Sequence, residues 1–395
     1  MVARTRIGSG LSLLDDAAEA ARTAAREAAA ALQGASCDLA FVFVSSDHLA
    51  EAGAAAAAAR TELRAARLVG CVAGGVLGGR RELEEGPGVA VWAASLPGAA
   101  IELFHAEGVE TPEGVAVTGF PQLDDPSLVA LLVDPFSFPG GPFLEGLNQE
   151  YPGLPVVGGL AAGGHRPGLQ ALLLDGEVHR GGAVGAVVSG AGVRTVVSQG
   201  CLPVGHDLVI TRGEGNVIYE LAGRPAVERL REQVDALDEL ARRKALRGLL
   251  VGLVIDENRP DYERGDYLIR GILGGDEESG ALVVGETVRP GQTLRFHIRD
   301  GASSRTDLRE ALATALEGTR PAGALVFTCS GRGISMFGEA DHDAALVADT
   351  LGGGGVAGFF CGGEIGPVGG RAFMHGFTAT LAVFLDGAPP PSAAG

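Results

Sequence analysis

Residues 356–370 read VAGFFCGGEIGPVGG. An apolar run closes on Cys361, stops in Gly362 and Gly363, and is followed at once by a carboxylate, Glu364. Two earlier stretches end the same way, LVGCVAGG at 68–75 and VVGGLAAGG at 156–164. The three align as Gly-x-x-x-Gly/Ala-Gly, with Gly70, Gly74 and Gly75 matching Gly158, Ala162 and Gly163, and matching Gly358, Gly362 and Gly363. Each break also follows the same context. A short apolar run (DLAFVFVSS at 38–46, LVALLVDPF at 128–136, GALVFTCS at 323–330) leads into a helix-forming stretch (49–66, 141–153 and 342–351). Apolar runs of this length read as buried strands. Three matches in one strand–helix–strand context indicate a duplicated unit.

The fold expected is therefore α/β, with α+β as the variant: mixed sheets flanked by helices and built from repeated strand–helix–strand–strand units. Leu11–Leu32 has helical periodicity and good helix formers, so an N-terminal helix is expected within 1–35. Two copies then fill a first domain at 36–222, a second domain at 223–386 carries the third copy, and 387–395 forms a disordered tail. Residues 248–286 resemble a fourth half-copy only weakly, because their glycines are spaced differently. Arg224–Leu246 reads as one long amphipathic helix, and Ser304–Asp307 as a capping box that opens another.

A chain of 395 residues with 46% hydrophobic content has ample apolar surface for two cores. Its net charge of −18 repels phosphate backbones and anionic membrane surfaces, which argues against nucleic acid or membrane partners. Five cysteines (37, 71, 201, 329 and 361) without Cys-x-x-Cys spacing suggest neither a disulfide framework nor a structural zinc site. No apolar run reaches membrane-spanning length, and MVARTRIGSG lacks a signal-peptide core. A cytoplasmic location is expected.

Several ordered blocks carry a family resemblance. DLAFVFVSSDH, ARLVGCVAGGVL, GPGVAVWAASLPGA, NVIYELAGRPAVERL, LRFHIRD, ALVFTCSGRG and VAGFFCGGEIGPVGG with FMHGFTATL together resemble the FIST family, in both its N-terminal and its C-terminal domain, over roughly residues 36–386. The resemblance implies a sensory module in signal transduction that binds small ligands such as amino acids and is coupled to a signalling partner. The family occurs in bacteria, in archaea, and in eukaryotes beside an F-box. No kinase, receiver, chemoreceptor or F-box segment is visible in this chain.

The glycine breaks lack the partner chemistry of a phosphate loop: no Gly-x-x-x-x-Gly-Lys-Ser/Thr occurs, and no Gly-x-Gly-x-x-Gly opens a helix. Tight turns account for them, and such turns also expose backbone N–H groups. No cofactor is expected. The scattered histidines give no metal site, and Asp341-His342-Asp343 reads as acidic capping of the following helix. In Cys329-Ser-Gly331-Arg332-Gly333, an arginine between glycines could turn its fork toward a carboxylate. Glu364, beside an apolar run, needs a cation or N–H donors if desolvated; Arg371 is the internal candidate and a ligand ammonium the functional one. Arg332 and Glu364 together could hold a zwitterion. Ligand contacts are expected at Ser45, Asp47, His48, Cys71, Gly74, Gly75, Cys329, Gly331, Arg332, Gly333, Cys361, Gly362, Gly363 and Glu364, around a cleft between the domains. Asp47 could alternatively cap the helix that follows it. Glu84, Glu85, Glu277 and Glu278 read as solvated. The enzymatic alternative is a hydrolase or acyl transferase with Cys361 as nucleophile and His375 as base.

Overall fold

Each glycine break lies where the chain leaves one sheet and enters another. The computed structural model describes residues 4–112, 114–246, 248–262 and 265–387. Strand Leu39–Ser45 runs parallel to Leu68–Ala73, Pro126–Val133 to Val156–Leu160, and Pro321–Cys329 to Gly355–Cys361. Helices Ala52–Leu63, Gly140–Glu150 and His342–Leu351 lie in the three crossovers. The first glycine of each break faces its neighbour at the same register: Gly70 opposite Val42, Gly158 opposite Leu131, Gly358 opposite Val326. A Cβ at any of the three would collide with the carbonyl oxygen of that partner. Close backbone approach, which only glycine permits, is the reason the spacing recurs.

The hairpin that follows each break does not stay with its own copy. Val76–Gly78 and Arg81–Leu83, from the first copy, pair onto Gly355–Cys361 of the third. Leu172–Leu174 and Glu177–His179, from the second, pair onto Leu68–Ala73 of the first. Glu364–Val368 and Arg371–His375, from the third, pair onto Val156–Leu160 of the second. The exchange is cyclic and closed. Backbone bonds tie two of the crossings down: Phe360 N donates to Gly75 O (3.0 Å), and Leu160 N to Gly363 O (2.8 Å).

By contacts the chain forms two compact units, one of residues 1–197, 309–374 and 378–395, the other of 198–308 and 375–377. All three copies belong to the first unit. The hairpin exchange binds the third copy to the first two. Residues 388–395 of the expected tail lie outside the described residues.

In the first unit, side chains of a single strand alternate between two cores, as the pleat requires. Leu39, Phe41 and Phe43 enter a core shared with Trp92, Phe327, Phe359 and Phe384. Phe43 lies 5.3 Å from Phe359 and Trp92 5.1 Å from Phe384, ring centre to ring centre. Ala40, Val42 and Val44 face the other way, against alanines of helices Ala17–Leu32 and Ala52–Leu63. The N-terminal segment corrects the sequence reading. Arg6–Ser12 is a strand, antiparallel to Val89–Ser95, and the helix starts only at Ala17, where Asp16 accepts from Glu19 N (2.8 Å). Gly8 and Gly10 let the helix lie directly on the strand: a Cβ on either would strike the carbonyl of Ala28 or Ala24.

The second unit is antiparallel. Cys201–Glu214, Thr293–Arg299, Leu249–Val254, Tyr267–Asp276, Ala281–Val284 and Val217–Leu221 pair in that order, and Val217–Leu221 pairs back onto Cys201–Glu214, closing the sheet on itself. Its core includes Ile210, Ile218, Leu253, Leu294 and Phe296. The weak fourth half-copy falls here; its strands pair antiparallel, unlike the three true copies. The long helix expected at 224–246 is two, Ala226–Asp235 and Glu239–Ala245, the second capped by Asp238. The expected capping box at Ser304 is inside helix Gly301–Leu316; Asp300 accepts from Ser303 N instead (2.9 Å).

The exchange predicts that a fragment of residues 1–222 does not fold by itself, because it lacks both the strand that receives Val76–Gly78 and the hairpin that covers Val156–Leu160. Thermal unfolding followed by circular dichroism is expected to show no cooperative transition for the fragment and one for the full chain.

Candidate functional site

The loop after strand Pro321–Cys329 carries the densest buried polar chemistry in the first unit. Arg332 is fully buried, and its fork is closed on Asp343: Nε to Oδ2 at 2.8 Å and Nη2 to Oδ1 at 3.0 Å. Thr328 Oγ1 donates to Asp343 Oδ2 (2.8 Å), and His342 Nδ1 lies 2.9 Å from Asp343 Oδ1. Burial pushes the Asp343 carboxyl up, but Arg332, His342 and Thr328 together hold it below the usual carboxylate range. Phe337 stacks on His342 with ring centres 3.5 Å apart and also lies beneath Arg332. Asp343 takes the Nε–Nη2 edge of the guanidinium. Asp343 is the buried counter-ion of Arg332 rather than a helix cap, and neither His342 nor Asp343 was in the expected set of ligand contacts.

The capping is done from another copy. Glu82, on the exchanged strand Arg81–Leu83, accepts from Ala344 N with Oε1 (2.8 Å), and its own N–H donates to Asp341 (2.7 Å). Glu84 accepts from Ile334 N (2.8 Å), so it is not simply solvated. The Glu84 carboxylate lies where a Cβ on Gly333 would be. Burial, then Asp343, Asp341 and Glu84, raise the Glu82 pKa to about 8.

Glu364 opens the third copy's exchanged hairpin and is fully buried. Its Oε2 accepts from Thr378 N (3.0 Å) and Thr378 Oγ1 (2.8 Å), while Oε1 has no hydrogen-bond partner among the described residues. Burial raises its pKa to about 7 against the opposing pull of Thr378, the Cys329 thiol and the Arg332 charge. Arg371, the expected internal partner, is exposed and lies over Phe373.

Cys361 lies in the core. Its thiol is completely buried, burial and then the neighbouring Glu364 push its pKa well above the ordinary value, and Sγ points to Phe359 O (3.7 Å). Thiolate chemistry at neutral pH needs the opposite shift. His375 is buried at the end of strand Arg371–His375. Cys71 is likewise in the core. Gly362 N donates to Leu160 O (3.0 Å), and Gly74 and Gly75 pack near Ala162 and Leu83, so these glycines serve the crossings. Ser45 Oγ accepts from Gly88 N (2.9 Å), His48 Nε2 meets Leu14 O (3.1 Å), and Asp47 is exposed without capping the helix. The structure thus brings together Cys329, Gly331, Arg332, Gly333, Cys361, Gly362, Gly363 and Glu364, and engages Ser45 and His48 elsewhere. Every expected contact residue belongs to the first unit.

Residues 38–224 match the FIST N domain and residues 226–367 match the FIST C domain. The chain belongs to the FIST family. The FIST C match begins in the second unit and ends in the first. The uncharacterized protein Rv0628c of Mycobacterium tuberculosis is 45% identical over 386 residues, covering 96% of this chain and all of that protein. The uncharacterized protein Mb0898c of Mycobacterium bovis is 42% identical, covering 96% of this chain and 99% of its own length. FIST domains are associated with sensory signal transduction. No helix among the described residues is long and apolar enough to cross a membrane.

Two measurements probe this FIST site. Arg332→Ala leaves Asp343 buried without its counter-charge and is expected to cost about 3–5 kcal/mol in denaturant unfolding, with part of the loss recovered when Asp343→Ala is added. Glu82 has a folded pKa above its ordinary value, so its ionisation opposes folding, and stability falls as pH rises from about 4.5 to about 8. Glu82→Gln keeps an acceptor for Ala344 N and is expected to flatten that part of the stability–pH curve; an unchanged slope would refute the assignment.

Proposed function

We propose that this FIST protein is a cytoplasmic sensor that binds a small amino-acid-like molecule at Glu364 and passes its occupancy to a signalling partner. The observation that carries the reading is the carboxylate itself. Glu364 is fully buried and held by Thr378 through one oxygen, and its other oxygen has no hydrogen-bond partner among the described residues. A buried acceptor of this kind costs free energy unless a donor meets it, and a ligand ammonium supplies both the hydrogen bond and the counter-charge. The family association with sensing and the absence of a usable thiolate at Cys361 favour binding over catalysis.

Signalling requires that the ligand prefer one of two conformations. Glu364 opens the hairpin that crosses from the third copy to the second. A charge change there acts on a crossing between copies rather than on a surface loop.

Ammonium binding has a sign that can be measured. In the free protein the Glu364 pKa is raised to about 7, and a bound cation draws the group into its ionised form. Binding therefore releases a proton below about pH 7, and affinity rises as pH climbs from about 6 to about 8. Titration calorimetry with amino acids in buffers of different ionisation enthalpy is expected to show this release in the native protein and to lose binding in Glu364→Gln. Equal affinity in that variant would reject the site.

A further inference from the structure

The chain carries a net charge of −18, yet one cavity runs against it. The cavity measures ≈ 780 Å³ and lies in the first unit. It is bordered by the C-terminal end of helix Ala17–Leu32, the residues just before strand Leu68–Ala73 and the end of strand Val89–Ser95. Its charged lining among the described residues is Arg4, Arg6, Arg67 and Asp38, and the rest of the lining is uncharged. No residue of the Arg332, Asp343 and Glu364 cluster borders it.

The aspartate does not neutralise the arginines. Asp38 Oδ1 accepts from Ser36 Oγ (3.0 Å) and Oδ2 from Leu96 N (2.7 Å), so uncharged donors of the chain engage both oxygens. Arg6 gives Nη1 to Leu32 O (2.9 Å) and Gln33 O (3.3 Å), carbonyls at a helix end that favours a cation, and this accounts for one of the three. Arg67 reaches only Ala66 O, the carbonyl of its own neighbour (3.1 Å). Arg4 is 70% exposed and meets Asp386, which lies outside this cavity, at 3.9 Å.

A hydroxyl stands beside these charges. Ser95 is 4% exposed and lines the cavity, and its Oγ makes no hydrogen bond among the described residues. Ser95 is the direct antiparallel partner of Arg6, so the two side chains share one face of the sheet. A buried hydroxyl in this state costs free energy unless a partner enters.

We propose that this cavity binds a small organic anion, a carboxylate or a phosphate monoester on a compact apolar body. Arg4, Arg6 and Arg67 supply the counter-charge, and Ser95 Oγ supplies a neutral donor. Leu96, Pro97 and Ile101 line the space for the body. The volume falls in the ~300–1,000 Å³ range of small-molecule sites. The site is separate from Glu364, and its ligand has the opposite charge to the ammonium read there.

The test uses the full chain with benzoate and phenyl phosphate as probes and benzamide as the uncharged control, at matched ionic strength. Thermal shift and calorimetry are expected to show stabilisation by at least one anion and binding about tenfold or more tighter than benzamide. The tighter of the two anions tells a carboxylate ligand from a phosphate ester. The double variant Arg4→Gln, Arg67→Gln is expected to weaken that anion by about tenfold or more, since each charge-assisted bond is worth about that much. Comparison of the anions with benzamide needs no variant, so a folding defect cannot obscure it. Benzamide that binds as tightly as the anions overturns the charge reading. Anion binding that is unchanged in the double variant, or no binding by either anion, overturns the site.

Discussion

Each repeated unit gives up its last hairpin to another copy, and the glycine that lets two parallel strands touch marks where this happens. Gly70, Gly158 and Gly358 sit over carbonyl oxygens at one register, and the chain turns away within a few residues. Because the exchange is cyclic, each of the three sheets is completed by a strand pair that it does not encode. This covers strand edges that would otherwise expose unpaired backbone groups. It also makes the third copy inseparable from the first two, although the second unit, residues 198–308, interrupts the chain between them.

The same exchange builds the candidate site. Glu84 and Ile334, hydrogen-bonded to one another, are 250 positions apart. Glu82 caps a helix of the third copy from a strand of the first. The pair Arg332–Asp343 stays charged in the interior because the fork is bidentate and Thr328 and His342 satisfy the remaining carboxylate positions. Glu364 is the contrasting case. It feels Arg332 only at a distance, keeps Thr378 as its donor, and remains raised toward neutrality. Two buried carboxylates near one arginine thus have opposite shifts, set by which of them holds the fork.

Much of the architecture was legible as periodicity. Strand pairs, crossover helices and the three breaks follow from apolar runs and glycine spacing, which are local properties. The errors share one cause, which is that glycine and carboxylate carry meaning only through what they face. The role of Gly8 and Gly10 shows only when a helix backbone is laid against them. Asp341 and Asp343 read as caps because they precede a helix, yet the cap comes from Glu82. Cys361 and His375 suggested a nucleophile and base, and only the tertiary structure shows that both are buried.

By itself the sequence determined the mixed α/β class, the threefold duplication and the loop that holds Arg332, because short-range spacing encodes pleat, crossover and turn. Tertiary structure decided which sheet each hairpin joins, which carboxylate neutralises Arg332, and that one Glu364 oxygen has no hydrogen-bond partner among the described residues. Those outcomes depend on desolvation and on partners brought from distant parts of the chain, and neither is written in the order of neighbouring residues.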